Sequence, residues 1–162
     1  MTRNDPVIPP DGIHRYGVRV YYEDTDAGGI VYHAGYLRYA ERGRTEALRE
    51  MGIPHADMSQ HFGLMFVVRR VEVDYLHPAR LDDSLIVETS ATEVGGASVT
   101  LRQDVVGPAG LCAGLTIRLA CVAPGGSKPK PIPPRWRMAL SAMREAHGRA
   151  ELEQGDSAWT GQ

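Results

Sequence analysis

Several features that would assign this sequence to a functional class are scarce or missing. Its 162 residues include only two cysteines, too few for a disulfide framework. A formal net charge of −2, with a pI near 6.3, gives no electrostatic reason to expect binding to nucleic acid or to a membrane surface. No apolar run approaches the ~18 residues that a membrane-spanning helix needs. Residues 1–12 contain three prolines and no apolar core, so we expect no secretory signal and a cytoplasmic protein.

The length and composition support a single folded domain. Hydrophobic residues make up 43% of the chain, which is enough for one core, while 162 residues are too few for two comfortable domains. We expect a disordered arm over residues 1–12, the folded domain over 13–147 and a polar tail over 148–162.

Hydrophobic periodicity predicts five strands and one long helix. The strands are expected near residues 13–22, 64–76, 85–92, 98–105 and 111–121, with turns at Gly95-Gly96 and at 107–110. Apolar residues at helical spacing predict a helix over 34–51 and a short one over 136–147. Residues 53–62 are interpreted as a polar connector.

This pattern predicts an α+β fold. Each strand has one apolar and one mixed face, as is typical of an antiparallel sheet that is covered on one side. The helix at 34–51 is the only long amphipathic cover that the sequence offers. Uncovered sheet surface and free edge strands favour pairing between copies, so we expect a homo-oligomer. The periodicity does not give the order of the strands.

The most informative stretch, residues 20–36, runs from the first strand into the long helix. Asp26 precedes Ala27-Gly28-Gly29, where glycine allows a sharp turn. The helix that follows offers unpaired backbone N–H groups and a partial positive charge, which stabilise a developing oxyanion. Asp26 beside that helix end would act as a base or a nucleophile. The alternative is a strand, a polar turn and a capped helix with no chemical role.

This stretch resembles the signature of the 4-hydroxybenzoyl-CoA thioesterase branch of the hotdog-fold thioesterases. Within that branch it is most similar to the acyl-CoA thioesterases associated with the bacterial Tol–Pal system. The resemblance rests on residues 19–29, 31–33, Tyr36, Glu41, Arg42 and 44–46, and more weakly on Lys128-Pro129 and Ile132-Pro133. Gly35 departs from the pattern, because Asn or Ser is expected there. Glycine is a tolerable N-cap, so this departure concerns the start of the helix rather than the chemistry.

The resemblance implies a hotdog fold, a curved antiparallel sheet of about five strands wrapped around one long helix. It also implies a homodimer or a dimer of dimers (a homotetramer) with active sites shared at the interface. The implied reaction is the hydrolysis of an acyl-CoA thioester to a carboxylic acid and coenzyme A, without a cofactor or a metal. A module that binds acyl-CoA or acyl carrier protein with little hydrolysis is the alternative.

Asp26 and His33 are the predicted catalytic residues. Asp26 either attacks the thioester carbonyl, which gives a mixed anhydride, or deprotonates a water molecule. Tyr22 and Tyr32 are expected to desolvate its carboxylate. His33 would orient water or protonate the departing thiolate, and in related thioesterases a tyrosine tends to stand at this position. The alternative for His33 is a role in capping the helix.

The remaining predicted site residues bind the substrate. The backbone N–H of His33, together with that of Val31 or Ala34, is expected to hold the oxyanion. Tyr36 would pack in the core or line the acyl pocket. Lys128 and Lys130 are expected to meet the phosphates of coenzyme A, and the alternative for them is an ordinary basic loop.

Overall fold

The computed structural model describes residues 5–157, which form five β-strands and three α-helices. The elements in chain order are β1 (His14–Arg19), α1 (Gly35–Glu50), α2 (His55–Phe62), β2 (Met65–Tyr75), β3 (Ser84–Val94), β4 (Ser98–Gly107), β5 (Gly110–Val122) and α3 (Pro134–Ser157). One turn of 3-10 helix, Tyr22–Asp24, follows β1. Each of the five predicted strands and the predicted long helix is present. No helix in this part of the chain is long and apolar enough to cross a membrane.

The strands form one antiparallel sheet in the order β1-β3-β4-β5-β2. The predicted hairpin at Gly95-Gly96 joins β3 to β4, where Gly95 N–H donates to the Ser98 carbonyl at 2.8 Å. Among the described residues, β1 and β2 each have a strand on one side only. They are the two edges of the sheet.

One face of the sheet packs against α1 and forms the core. At Gly43 the helix comes so close that an added Cβ would lie 2.5 Å from Cγ1 of Val87 on β3. The buried amide of Gln103, on β4, donates from Nε2 to the Ala40 carbonyl at 2.8 Å and to the Thr89 hydroxyl at 2.9 Å. A small residue and one satisfied polar group therefore fix α1 over the middle of the sheet.

The opposite face of the sheet is polar. Three ion pairs lie along it: Arg15–Glu88, Arg70–Glu72 and Arg102–Asp104. These pairs agree with the predicted mixed face.

The C-terminal helix is longer than the sequence predicted. A short helix ending at 147 was expected, but α3 has 24 residues and extends through Ser157, into the predicted polar tail. Its buried side chains lie near helical spacing and include two alanines: Trp136, Ala139, Leu140, Met143 and Ala146. Alanine is the best helix former but a weak hydrophobic signal, so the periodicity understated this element. Consequently two helices, α1 and α3, cover the sheet. Residues 158–162 of the predicted tail lie outside the described part of the chain.

The connector over residues 53–62 contains a helix that the sequence analysis missed. Helix α2 begins after Pro54 and ends at Gly63, whose φ of +61° is a left-handed cap. Met58 is fully buried, whereas the rest of α2 is largely polar. A helix that buries one residue gives almost no periodic signal, because periodicity needs several apolar positions.

Residues 5–12 pack against the body, although they were predicted as part of a disordered arm. Val7 N–H donates to the Met51 carbonyl at 3.1 Å. Gly12, with φ of +71°, lies so close to α3 that an added Cβ would be 2.3 Å from the backbone nitrogen of His147. His14 follows, buried, with Nε2 2.7 Å from Glu50. The segment therefore lies between the end of α1 and α3.

Candidate active site

The motif around Asp26 folds into a tight turn that places its carboxylate beside the start of α1. Asp26 N–H donates to the Ile30 carbonyl at 2.9 Å, and Gly29 N–H donates back to the Asp26 carbonyl at 3.0 Å. Gly29 has φ of +77°, a conformation that L side chains rarely adopt. Oδ1 of Asp26 accepts from Gly28 N–H at 2.8 Å. One carboxylate oxygen, Oδ1, is thus bonded within the turn, and Oδ2 remains available to react.

The backbone entering α1 contains two uncommitted donors. Tyr32 N–H donates to the Asp24 carbonyl at 2.9 Å, and Val31 N–H donates to the Ala79 carbonyl at 2.8 Å. Within residues 5–157, the N–H groups of His33 and Ala34 donate to no protein acceptor. The expectation that Val31 could serve as an oxyanion donor was therefore wrong, because its N–H is occupied. His33 and Ala34 keep that capacity.

A second segment, residues 75–79, is hydrogen-bonded to the start of α1. The Tyr75 hydroxyl donates to the His33 carbonyl at 2.8 Å. Ala79 N–H donates to the Tyr36 hydroxyl at 3.2 Å, next to the bond from Val31. Burial of Tyr36 raises the pKa of its phenol. We call residues 26–36 the first wall and residues 75–79 the second wall.

The two walls enclose a cleft of about 470 Å³, the Asp26 cleft. Its lining consists of Asp26, Ile30, Val31, His33, Tyr36, Tyr75, Leu76, His77 and Pro78. The structure thus brings together Asp26, His33, Val31 and Tyr36 from the predicted set. The sequence analysis did not identify the second-wall residues, since they lie some forty positions away in an unremarkable strand end.

Tyr22, Tyr32 and Ala34 do not line the cleft. Tyr22 is 80% exposed and Tyr32 is half exposed. The Tyr32 ring packs against the imidazole of His33, with centroids 4.3 Å apart. The Asp26 carboxylate is itself exposed, so the expected desolvation by Tyr22 and Tyr32 is not present in the isolated chain.

Comparison with known proteins assigns the chain to a family. The model of the thioesterase-like superfamily matches residues 20–140, three quarters of the chain and both walls of the cleft. The chain belongs to this superfamily. The prediction of a thioester hydrolase is confirmed at this level, and so is the hotdog fold.

Curated relatives and solved structures within the superfamily cover most of the chain. The acyl-CoA thioesterase YbgC of Haemophilus influenzae is 41% identical over 129 residues, which is 80% of this chain and 95% of that protein. The acyl-CoA thioester hydrolase YbgC of Escherichia coli is 44% identical over 127 residues, 75% of this chain and 90% of that one. The crystal structure of a probable thioesterase from Bartonella henselae is 33% identical, with a TM-score of 0.71, and the match covers 75% of this chain and 99% of that chain.

Lys128 and Lys130 of this thioesterase lie on the loop after β5, beside a second cavity of about 530 Å³. Its lining includes three arginines that the sequence analysis did not identify: Arg69, Arg70 and Arg118. We call this cavity the arginine pocket. Arg69 donates to the Ser127 carbonyl at 2.5 Å, which joins β2 to the loop that carries Lys128 and Lys130. The register of β2 shifts between Val68 and Arg70, and such a bulge re-aims side chains.

A third cavity of about 400 Å³ lies between α1, α2 and the start of β2. Glu41, Arg44 and His55 line it, together with apolar side chains of the sheet. We call it the helix pocket. Burial lowers the pKa of His55, and the nearby Arg44 charge lowers it further. In the described part of the chain no ion pair joins Glu41 to Arg44, and Arg44 instead donates to Gln103 Oε1 at 3.5 Å.

Proposed function

We propose that this thioesterase hydrolyses acyl-CoA thioesters to a carboxylic acid and coenzyme A, with Asp26 as the essential residue. One observation carries the proposal: Asp26 and His33 line one cleft at the start of α1, where the N–H groups of His33 and Ala34 donate to no protein acceptor within residues 5–157. The relatives from Haemophilus influenzae and Escherichia coli are named as acyl-CoA thioesterases, which supports the substrate class.

The geometry suits a tetrahedral transition state. The thioester carbonyl oxygen would sit at the start of α1, where the His33 and Ala34 N–H groups and the helix dipole stabilise its negative charge. Asp26 would act through Oδ2, since Gly28 N–H holds Oδ1. It attacks the acyl carbon or removes a proton from water. His33 orients water or protonates the thiolate, and Tyr75 fixes the His33 carbonyl.

We propose a homodimer as the active form, or a dimer of dimers built from it. Strand β2 is a sheet edge with Met65 and Val68 exposed near one end and Tyr75 exposed at the other. Antiparallel pairing of two β2 strands would place the Tyr75 end of one copy beside the Met65 end of its partner. The helix pocket of the partner would then adjoin the Asp26 cleft, close it against water and accept the acyl group.

The arginine pocket, together with Lys128 and Lys130, is proposed to hold the phosphates of coenzyme A. At about 3.3 Å per residue, Arg70 lies about 17 Å along β2 from Tyr75. An extended pantetheine arm covers a comparable length. An acidic acyl carrier protein would meet the same cations. Measuring KM for acyl-CoA and for acylated acyl carrier protein decides which of the two donates the acyl group.

The decisive experiment measures thiol release from short, long and aromatic acyl-CoAs by the wild type and Asp26→Asn. Asp26→Asn should keep the fold and lose at least about a hundredfold in kcat, because it lacks both the nucleophile and the base. Near-normal turnover by the variant would contradict the mechanism. Binding of acyl-CoA by the wild type without turnover would favour the scaffold alternative.

Removal of the loop lysines tests the phosphate site. Lys128→Ala with Lys130→Ala should raise KM for acyl-CoA about tenfold at unchanged kcat, since exposed charged contacts contribute up to about 1 kcal/mol each. The matched control removes Arg144 and Arg149, two exposed cations on α3. Equal KM values in the two double variants would reject the assignment.

A further inference from the structure

The Asp26 cleft contains a second imidazole, His77, on the wall opposite His33. The backbone that carries it is fixed, because the N–H groups of Leu76 and His77 both donate to the Cys112 carbonyl, at 2.8 and 3.3 Å. Two residues later Ala79 is bonded to the first wall. His77 therefore occupies a built position rather than a loose loop.

One hydrogen bond sets the orientation of the His77 ring. Nδ1 lies 3.0 Å from the carbonyl oxygen of Leu111. A carbonyl oxygen only accepts, so Nδ1 carries the hydrogen, and the lone pair of the neutral ring is on Nε2. Within residues 5–157, Nε2 of His77 has no hydrogen-bond partner. Nε2 is therefore a free hydrogen-bond acceptor, and it belongs to a residue that lines the cleft.

Hydrolysis of a thioester requires one proton to leave the attacking water and one to reach the sulfur. We propose that Nε2 of His77 is the general base for the water, which makes Asp26 the nucleophile. The inference rests on the proposed function and assigns the two steps to opposite walls. His77 is then a catalytic residue that sequence motifs do not mark.

The bonds and protons balance over two steps. In the first, Asp26 bonds to the acyl carbon, the C–S bond breaks, and the thiolate leaves an acyl anhydride behind. In the second, water attacks the acyl carbon while one of its protons moves to Nε2 of His77. The bond to Asp26 then breaks, which restores the carboxylate and releases the acid. The imidazolium passes its proton to the thiolate, directly or through water.

The test compares His77→Ala with His61→Ala, an exposed histidine on α2 that lies outside the cleft lining. The substrate is the acyl-CoA that the wild type turns over fastest. His77→Ala should lower kcat on the order of a hundredfold, while His61→Ala should leave it unchanged. The first step is intact, so His77→Ala should release a burst of about one thiol per protomer. Added imidazole should restore turnover, which a purely structural role would not allow.

Two results would overturn the role of His77. One is wild-type kcat in His77→Ala. The other is a slow variant with neither a thiol burst nor rescue by imidazole, which would make His77 a wall residue. Asp26→Asn, measured in parallel, separates the two proposals. Normal turnover by Asp26→Asn would exclude Asp26 as the nucleophile, whatever the result for His77→Ala. A wild type that hydrolyses no acyl-CoA overturns the proposed function and the role of His77 with it.

Discussion

The two walls of the Asp26 cleft are built in different ways. The first wall is one continuous segment whose turn, carboxylate and helix start follow each other in sequence. The second wall is the last residue of β2 and the segment that follows it, and the hydroxyls of Tyr36 and Tyr75 and the Val31 N–H join it to the first. In our proposals the first wall supplies the nucleophile and the oxyanion donors, and the second wall holds them in position and supplies the base, His77. The predictions below separate these two contributions.

The largest effect on stability is expected where the walls meet in the core. Tyr36→Phe removes the acceptor of Ala79 N–H and leaves a buried donor unpaired, which should cost about 1–3 kcal/mol of unfolding free energy. Tyr39→Phe is the matched control, because no partner among residues 5–157 meets hydrogen-bond geometry with its buried hydroxyl, although the Asp24 carboxylate is near. Denaturant unfolding of both variants checks this, and an equal loss in the two would mean that the bond does not join the walls.

The turn of the first wall should show the next largest effect. Gly29→Ala forces an L side chain into φ of +77°, at a cost of about 1–2 kcal/mol, and displaces Asp26. Gly63→Ala, at the cap of α2, meets equal backbone strain with equally open space around it. Both variants should lose similar thermal stability, and only Gly29→Ala should lose kcat. Activity retained in Gly29→Ala would show that the turn does not set the carboxylate.

The smallest effect is expected at the exposed rim of the second wall. Tyr75→Phe loses one hydrogen bond to the His33 carbonyl. Such a bond contributes about 0.5–1.5 kcal/mol to the free energy of unfolding, and less at an exposed site. Stability should change little, and kcat should fall a few-fold because the oxyanion donors are less firmly placed. Steady-state kinetics at saturating substrate measures this. A rise in KM with unchanged kcat would instead mean that Tyr75 binds substrate and does not position His33.

The sequence predicted the first wall well because its determinants are local. Asp26, the glycine turn and the helix start are adjacent in the chain, and each has a recognisable residue signature. What the sequence could not show was that Val31 N–H is already bonded to Ala79, since that partner is about fifty residues away. The sheet was predicted for the same reason as the turn: alternation along each strand is local, whereas the order β1-β3-β4-β5-β2 depends on pairings between distant segments.

The residues that were missed carry weak local signals. Tyr75 ends an ordinary strand and His77 follows it by two positions, and both come to line the cleft only because the end of β2 meets the start of α1. Arg69 gains its contact with Ser127 through a bulge that alternation alone does not reveal. Helix α3 was underestimated because alanines carry part of its buried face. In each case the contacts of the residue depend on the tertiary structure and not on the residue type.

The amide of Gln103 has a consequence for substrate selection. It donates to the Ala40 carbonyl in α1, and a slide of the helix by one turn, about 5.4 Å, would break that bond and leave the buried amide with only its bond to Thr89. The axial position of α1 is therefore discrete, and the helix cannot drift along its length to suit a longer or shorter acyl group. Discrimination among acyl groups must come from side chains exchanged around a fixed helix, so homologues that differ in chain-length preference should share this glutamine and differ in the residues that line the pockets.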